Sequence, residues 1–126
     1  MSVKKNRESE EMYLETILRL SKRNPEVHSI DVANEMGFSK PSVSVAMKHM
    51  REDGLITMDE FNHIHLTEKG QSLAESVFER HSVLTALFER LGVSPETAEE
   101  DACRIEHFIS DETFSAIKAH AEKNIS

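Results

Sequence analysis

The stretch from residue 29 to residue 66 constrains the fold more than any other part of this sequence. Helical apolar spacing gives way there to β-type residues, in four consecutive segments: 30–36, 39–53, 55–59 and 63–66. Gly37 separates the two helical segments, and a helix, a glycine-containing turn and a second helix form a helix-turn-helix. A two-stranded hairpin directly after the second helix is typical of a wing. The order therefore predicts a winged helix-turn-helix.

The remaining segments also have helical spacing. Tyr13, Ile17 and Leu20 recur at i, i+4 and i+7 and predict a helix over residues 10–23. Further helices are predicted over 68–91, from 95 and from 110. Residues able to cap helix N-termini precede the later helices: Ser29, Ser39, Thr67, Ser94 and Ser110. The sequence predicts a mainly α fold, with a DNA-binding domain over residues 1–70 and an all-helical domain over residues 71–126.

Charge and composition narrow the class of protein. The net charge is −8, with most of the acidic excess in residues 71–126, so indiscriminate nucleic-acid binding is not expected. The sequence has no apolar run of about 18 residues and no secretory h-region near its start, so no membrane association is expected. Its single cysteine, Cys103, suits a reducing compartment. We expect a cytoplasmic protein.

The first residues of the 39–53 helix are the candidates for DNA contact, because a helix-turn-helix inserts the N-terminal part of its second helix into the major groove. Serine hydroxyls can bond bases or phosphates, Pro41 and Val45 can contact a thymine methyl, and Lys40 and Lys48 can contact phosphates. Arg and Asn, which read bases with two hydrogen bonds, are missing there, so base discrimination should be weak. The predicted contact residues are Ser39, Lys40, Pro41, Ser42, Ser44, Val45 and Lys48. Lys4, Lys5 and Arg7 could add phosphate contacts.

Three separate segments carry residues able to bind a metal. Met12 and Glu15 lie three apart on the first predicted helix, and His81 lies on the long one. Cys103 precedes Glu106 and His107 by three and four residues, so their side chains could converge on one helix face. Thiolate, carboxylate and imidazole together are typical of a transition-metal site.

Each of these residues also has an ordinary structural explanation. Met12 lies on an apolar stripe and could be a core residue, and His81 could be a packing histidine. Cys103 could be a small buried hydrophobe, and Glu106 with His107 could be a solvated pair. The spacing alone therefore leaves a metal site and ordinary packing both open.

Five segments resemble the diphtheria toxin repressor family, which includes the manganese regulators. They are EMYLETI (11–17), GLI (54–56), LTEKG (66–70), ERH (79–81) and EDACRIEHFISDE (100–112). The resemblance extends from about residue 8 to about residue 120. It implies a winged-helix domain followed by a helical dimerisation domain, with two metal sites between them. It also implies a homodimer that binds double-stranded palindromic operator DNA when loaded with a divalent metal, represses metal-homeostasis genes and is not an enzyme.

The resemblance also assigns individual residues. Met12, Cys103, Glu106 and His107 match the activating site of the iron-responsive branch, and His81 matches a ligand of the second site. The chain thus carries the main ligand pattern of that branch.

Three positions depart from that pattern. Glu15 falls where the manganese branch has a carboxylate ligand. Thr85 and Glu99 stand where the iron branch has an acid and a histidine; threonine is a poor ligand, whereas Glu99 could serve. The third domain of the iron branch has no counterpart before Ser126, so the length resembles that of the two-domain manganese regulators.

Ligand chemistry favours iron(II) over manganese(II) as the cofactor. Met12 and Cys103 replace acidic ligands of the manganese branch, and thioether and thiolate donors are softer than carboxylates. Manganese(II) is the alternative.

Two other classes of function compete with a metal-dependent repressor. One is a metal-independent winged-helix regulator that senses a small molecule or oxidation at Cys103. The other is a metalloenzyme, which is disfavoured because no H-E-x-x-H pattern and no separate general base are present.

Overall fold

The computed structural model describes the backbone of residues 2–125 and the side chains of residues 9–123. Its elements, in chain order, are α1 (Ser2–Arg23), α2 (Ser29–Met36), α3 (Lys40–Glu52), β1 (Ile56–Met58), β2 (Ile64–Leu66), α4 (Glu68–Arg90), α5 (Pro95–Ile105) and α6 (Asp111–Ile125). The predicted mainly helical fold, with an N-terminal winged helix-turn-helix followed by helices, is confirmed. The chain divides into two compact units, residues 1–75 and 76–126.

The core of the first unit comes from the apolar stripes that the sequence predicts. Leu14 and Ile17 of α1 are fully buried. The α3 positions Val43, Met47 and Met50, which recur every three or four residues, are also buried. This spacing puts one face of α3 inward and leaves the opposite face to solvent.

The wing is a short antiparallel hairpin. Ile56 pairs with Leu66, and Met58 pairs with Ile64. The buried side chains of Ile56 and Ile64 attach the hairpin to the core. The backbone amide of Ile64 also donates to the carbonyl oxygen of Val27 at 2.7 Å. The first strand is shorter than the predicted 55–59 segment, because Asp59 already belongs to the turn.

The start of α4 is fixed against the residue that precedes β1. Thr67 caps the helix, as predicted, by accepting a hydrogen bond from the Gly70 amide at 3.0 Å. Its hydroxyl donates to the carbonyl oxygen of Gly54 at 2.7 Å. A Cβ atom on Gly70 would overlap the carbonyl oxygen of Leu55, so only glycine fits this approach.

The other helix starts partly follow the prediction. Ser39 caps α3 by accepting a hydrogen bond from the Ser42 amide at 3.3 Å. The prediction that Ser29 caps α2 is wrong: Ser29 is the first helical residue and His28 holds the N-cap position. The Asp31 carboxylate accepts a hydrogen bond from the His28 amide at 2.8 Å. An acid in the first turn thus replaces a serine cap.

The second unit has a small apolar core. Its buried hydrophobic residues are Val77, Leu84, Ala98, Ala102, Phe114 and Ala121. Helix α5 ends at Ile105, and residues 106–110 form a turn that leads into α6. No helix among the described residues has the length and apolar character needed to cross a membrane.

Candidate metal centre and nucleic-acid interface

The outer face of α3 carries the residues predicted to contact DNA. All seven are exposed: Ser39, Lys40, Pro41, Ser42, Ser44, Val45 and Lys48. Val45 is exposed over 56% of its surface and, with Pro41, gives this largely polar face an apolar part. The Ser39 hydroxyl donates to that of Ser42 at 2.9 Å, so these two hydroxyls are already oriented by one another.

Two further residues of the same helix that could carry positive charge were not among the predicted DNA contacts. His49 and Arg51 are both exposed in the last turn of α3. Their position after Lys48 could have indicated them, because basic side chains near a recognition helix can meet phosphates. The side chains of Lys4, Lys5 and Arg7 lie outside the described residues.

In the second unit, a buried carboxylate lies between two imidazoles. Glu106 is fully buried, with 0% of its surface exposed. One of its oxygens, Oε2, lies 2.9 Å from Nδ1 of His81 on α4. The other, Oε1, lies 3.3 Å from Nε2 of His107, whose side chain is 3% exposed. Two histidines that are distant in sequence thus converge on one acidic group.

This cluster depends on where α5 ends. Glu106 occupies the C-cap position, with its amide bonded to the carbonyl of Ala102, and His107 follows in the turn. The predicted convergence of Cys103, Glu106 and His107 assumed one continuous helix. Cys103, on the last helical turn, is exposed. Glu99, one turn earlier, is exposed as well.

The predicted ligands of the first unit are both on α1. Glu15 is 6% exposed, and its Oε2 accepts a hydrogen bond from Nη2 of Arg19 at 3.0 Å. Met12 is half-buried, and its carbonyl accepts a hydrogen bond from the Thr16 hydroxyl at 2.9 Å.

The second-unit cluster fits a divalent metal ion in its donor chemistry. Carboxylate oxygen and imidazole nitrogen are donors that iron, manganese and zinc all accept. Complete burial of a carboxylate destabilises the fold unless a positive charge or hydrogen bonds compensate for the lost hydration. Glu106 with His81 and His107 therefore forms a group whose buried negative charge a cation would balance.

Arg80 is a residue of the second unit that sequence reasoning did not single out. It directly precedes His81, and its guanidinium contacts the turn after α5, with Nη1 2.9 Å from the carbonyl oxygen of Ile109. The only signal in the sequence is its place in the ERH segment, which does not say what it contacts. The groups that Arg80 contacts are distant from it in sequence, so the local spacing of residues could not reveal these contacts.

Family comparisons match nearly the whole chain. The family described as "Iron dependent repressor, N-terminal DNA binding domain" matches residues 7–64. The one described as "Iron dependent repressor, metal binding and dimerisation domain" matches residues 67–123.

Individual relatives agree with that match. The transcriptional regulator MntR of Escherichia coli O6:H1 is 36% identical over 89% of this chain and 72% of its own length. The iron-dependent repressor IdeR of Mycobacterium tuberculosis is 34% identical over 81% of this chain, which corresponds to 45% of IdeR. The structure of the manganese regulator SloR superposes with a TM-score of 0.77, at 29% identity, over 90% of this chain and 53% of that one. The chain thus spans about half the length of IdeR and SloR.

Proposed function

The chain belongs to the iron-dependent repressor family of metal-dependent transcriptional repressors, and we propose that iron(II) loading lets it bind a palindromic operator as a homodimer. The observation that carries this proposal is the buried Glu106 carboxylate between the imidazoles of His81 and His107. Residues 1–70 would bind DNA, and residues 71–126 would bind metal and dimerise. Genes of metal homeostasis are the proposed targets.

The proposed ligands follow the resemblance residue by residue. Met12, Cys103, Glu106 and His107 would hold the activating ion, and His81 and Glu99 would serve a second site, with Glu15 as an additional carboxylate. A bound divalent ion would supply positive charge to these donors. The protein must bind this ion more tightly in its DNA-competent arrangement, and DNA must by reciprocity tighten metal binding.

The chain's own groups have separate tasks in this scheme. Glu106 supplies a negative charge that solvent does not screen, because it is fully buried. Histidine and cysteine must lose a proton to coordinate, which couples ion binding to pH. On α3, the exposed serines would bond bases or phosphates, and Lys40 and Lys48 would contact phosphates.

Donor softness supports iron(II) over manganese(II). Met12 and Cys103 offer a thioether and a thiolate, which favour iron relative to manganese. Manganese(II) is the second candidate, and the similarity to the manganese regulator SloR favours it. The two candidates differ in which ion activates DNA binding at the lower concentration.

The test is an anaerobic titration of iron(II) or manganese(II) into metal-free protein. Operator binding would be followed by fluorescence anisotropy of a labelled palindrome, selected from a random DNA library by the metal-loaded protein. We expect iron(II) to act at the lower concentration. Operator binding that is unchanged after chelation would overturn the metal-dependent function and leave a regulator with a different trigger.

A ligand exchange sharpens the choice of metal. The double variant Met12→Asp, Cys103→Glu should move the response toward manganese(II), since both donors become carboxylates. Ser115→Glu, which adds one negative charge at an exposed position of α6, is the control and should not change the preference. An unchanged preference in the double variant would contradict the assignment of Met12 and Cys103.

A further inference from the structure

One guanidinium group makes four contacts within the second unit. Nη1 of Arg80 donates to the carbonyl oxygen of Glu106 at 3.1 Å and to that of Ile109 at 2.9 Å. Nη2 donates to the carboxylate of Asp111, the first residue of α6. The group also lies over the ring of Phe114, 5.3 Å from its centroid. The side chain is 11% exposed, so these contacts are largely shielded from water.

These contacts satisfy the end of one helix and the start of the next. The last carbonyls of a helix have no partners within it, and a cation near them also interacts favourably with the helix dipole. Glu106 is the C-cap residue of α5, and Asp111 opens α6. Arg80 therefore fixes both ends of the turn formed by residues 106–110.

The same turn carries two of the proposed metal ligands. His81, the neighbour of Arg80 on α4, contacts the Glu106 carboxylate at 2.9 Å, while Arg80 holds the Glu106 carbonyl. Two consecutive residues of one helix thus hold the side chain and the main chain of a single residue. His107 follows Glu106 directly, so its backbone position depends on the same anchor.

We propose that Arg80 is a positioning residue for the metal centre. It holds the backbone of the 106–110 turn so that the Glu106 carboxylate and the His107 imidazole are in place before an ion arrives. This proposal rests on the proposed metal-dependent function. Lysine cannot replace arginine here, because an ammonium group lacks the planar fork that reaches several oxygens at once and stacks on an aromatic ring.

The test measures binding of manganese(II) itself to the full-length metal-free protein, by electron paramagnetic resonance of the unbound ion. Arg80→Lys should weaken binding about 10- to 100-fold, as loss of residues that orient metal ligands does elsewhere. Arg104→Lys is the matched control. That arginine is 75% exposed and ion-paired with Asp101 at 3.8 Å, so its replacement should leave affinity within about twofold.

A second readout separates positioning from a general effect on stability. Cobalt(II) absorption bands report ligand geometry, so they should shift in Arg80→Lys and stay unchanged in Arg104→Lys. Measurements are made in the cold, where circular dichroism verifies that each variant is folded. Asp111→Asn removes only one anchor, on a side chain that is 82% exposed, and should weaken manganese(II) binding about threefold even if Arg80→Lys does not fold.

The outcomes distinguish this inference from the function on which it rests. If wild type binds manganese(II), Glu106→Gln loses binding and both Arg80→Lys and Asp111→Asn match wild type in affinity and cobalt spectrum, the positioning role alone is overturned. If Arg80→Lys is unfolded, an Asp111→Asn variant with wild-type affinity overturns it. A wild type that binds no manganese(II), or binds it as well as Glu106→Gln does, overturns the proposed metal centre and the positioning role together.

Discussion

The two units each contain a carboxylate between two imidazoles, in opposite surroundings. In the second unit, Glu106 lies between His81 and His107 and is 0% exposed. In the wing, Oδ2 of Asp59 lies 3.2 Å from Nδ1 of His63 and 3.0 Å from Nε2 of His65, and its side chain is 34% exposed. The chemical groups are the same, and their burial differs.

Burial decides what each cluster can do. Water stabilises the charge on Asp59, so that residue can serve a local structural purpose: its Oδ1 accepts hydrogen bonds from the amides of Phe61 and His63, at 2.9 and 3.0 Å, and shapes the turn. Glu106 lacks this solvation and must find its compensation among the groups around it. The buried cluster is therefore suited to binding a cation, and the exposed cluster is suited to stabilising a turn.

The strongest test of this comparison removes one negative charge from each cluster. Glu106→Gln should weaken manganese(II) binding by more than about 100-fold, because it removes a proposed ligand. Loss of a residue that only orients a ligand already lowers metal affinity by about 10- to 100-fold. The measurement is the titration of unbound manganese(II) by electron paramagnetic resonance.

Asp59→Asn is the matched control for that experiment. It removes the same charge beside two histidines, and its affinity for manganese(II) should remain that of wild type. Equal losses in the two variants would show that burial does not distinguish the clusters.

Acidification should weaken metal binding next most strongly. Imidazole must be neutral to coordinate, and an unperturbed histidine takes up its proton near pH 6.5. Between pH 7.5 and pH 5.5 we expect a loss in manganese(II) affinity of at least about tenfold, measured by the same titration in buffers that do not bind metal. A flat profile would contradict coordination through histidine.

A third carboxylate, Glu10, sharpens the comparison because it faces another acid. Burial, followed by hydrogen bonding to and repulsion from Asp53, raises the pKa of Glu10 from 4.5 to about 7, although Lys69 opposes the shift. The folded protein therefore holds a proton that the unfolded chain releases above pH 4.5. Consequently, the contribution of Glu10 to the free energy of unfolding falls as pH rises from 4.5 to 7 and stays low above that.

Glu10→Gln should remove this pH dependence. At pH 8 the metal-free variant should be more stable than wild type by up to about 1 kcal/mol, because solvent screens part of the effect, and the gain should shrink toward pH 4.5. Urea unfolding at several pH values measures it, with the exposed Glu60→Gln as control. A gain that is the same at pH 5 and pH 8 would contradict the raised pKa.

The smallest effect is expected from Asp59→Asn on stability. The hydrogen bond from His65, followed by backbone and charge contacts with His63, holds the pKa of Asp59 well below its ordinary value. A carboxyl group whose pKa is lowered in the folded state stabilises the fold at pH values above its ordinary pKa. This stabilisation is lost as the pH falls toward the lowered pKa. The variant should melt a few degrees lower at pH 7, as an exposed group allows.

Thermal melts followed by circular dichroism would check this, and the difference from wild type should narrow below pH 4. His65→Gln, which keeps the carboxylate, should show a smaller difference at pH 7. If it melts lower than Asp59→Asn, the carboxylate is not what stabilises the turn.

Local patterns in the sequence were enough to predict the helices and their inward faces. Val43, Met47 and Met50 follow from their spacing, and the Ser39 cap follows from its side-chain chemistry and the next residues. The end of α5 could not be predicted in this way, since its apolar spacing gives no sign that the helix stops at Ile105. The exposure of the predicted α3 contacts agrees with one polar helix face.

The parts of the candidate site that could not be predicted depend on contacts between residues that are distant in sequence. Arg80 contacts oxygens 26 to 31 residues further along the chain, which no local period encodes. His81 and Glu106 could both be selected as candidate ligands, but the contact between them could not be predicted from the spacing. The exposure of Cys103 likewise depends on tertiary packing.

The lack of space for a side chain at Gly70 limits which changes its codon can tolerate. Every single-nucleotide change in a glycine codon that alters the amino acid introduces a Cβ atom, and here that atom would overlap the carbonyl oxygen of Leu55. No gradual path of substitutions therefore leads away from Gly70. A mutational library selected for a folded protein should retain glycine at this codon, while the codons for the exposed Glu68 and Lys69 diversify.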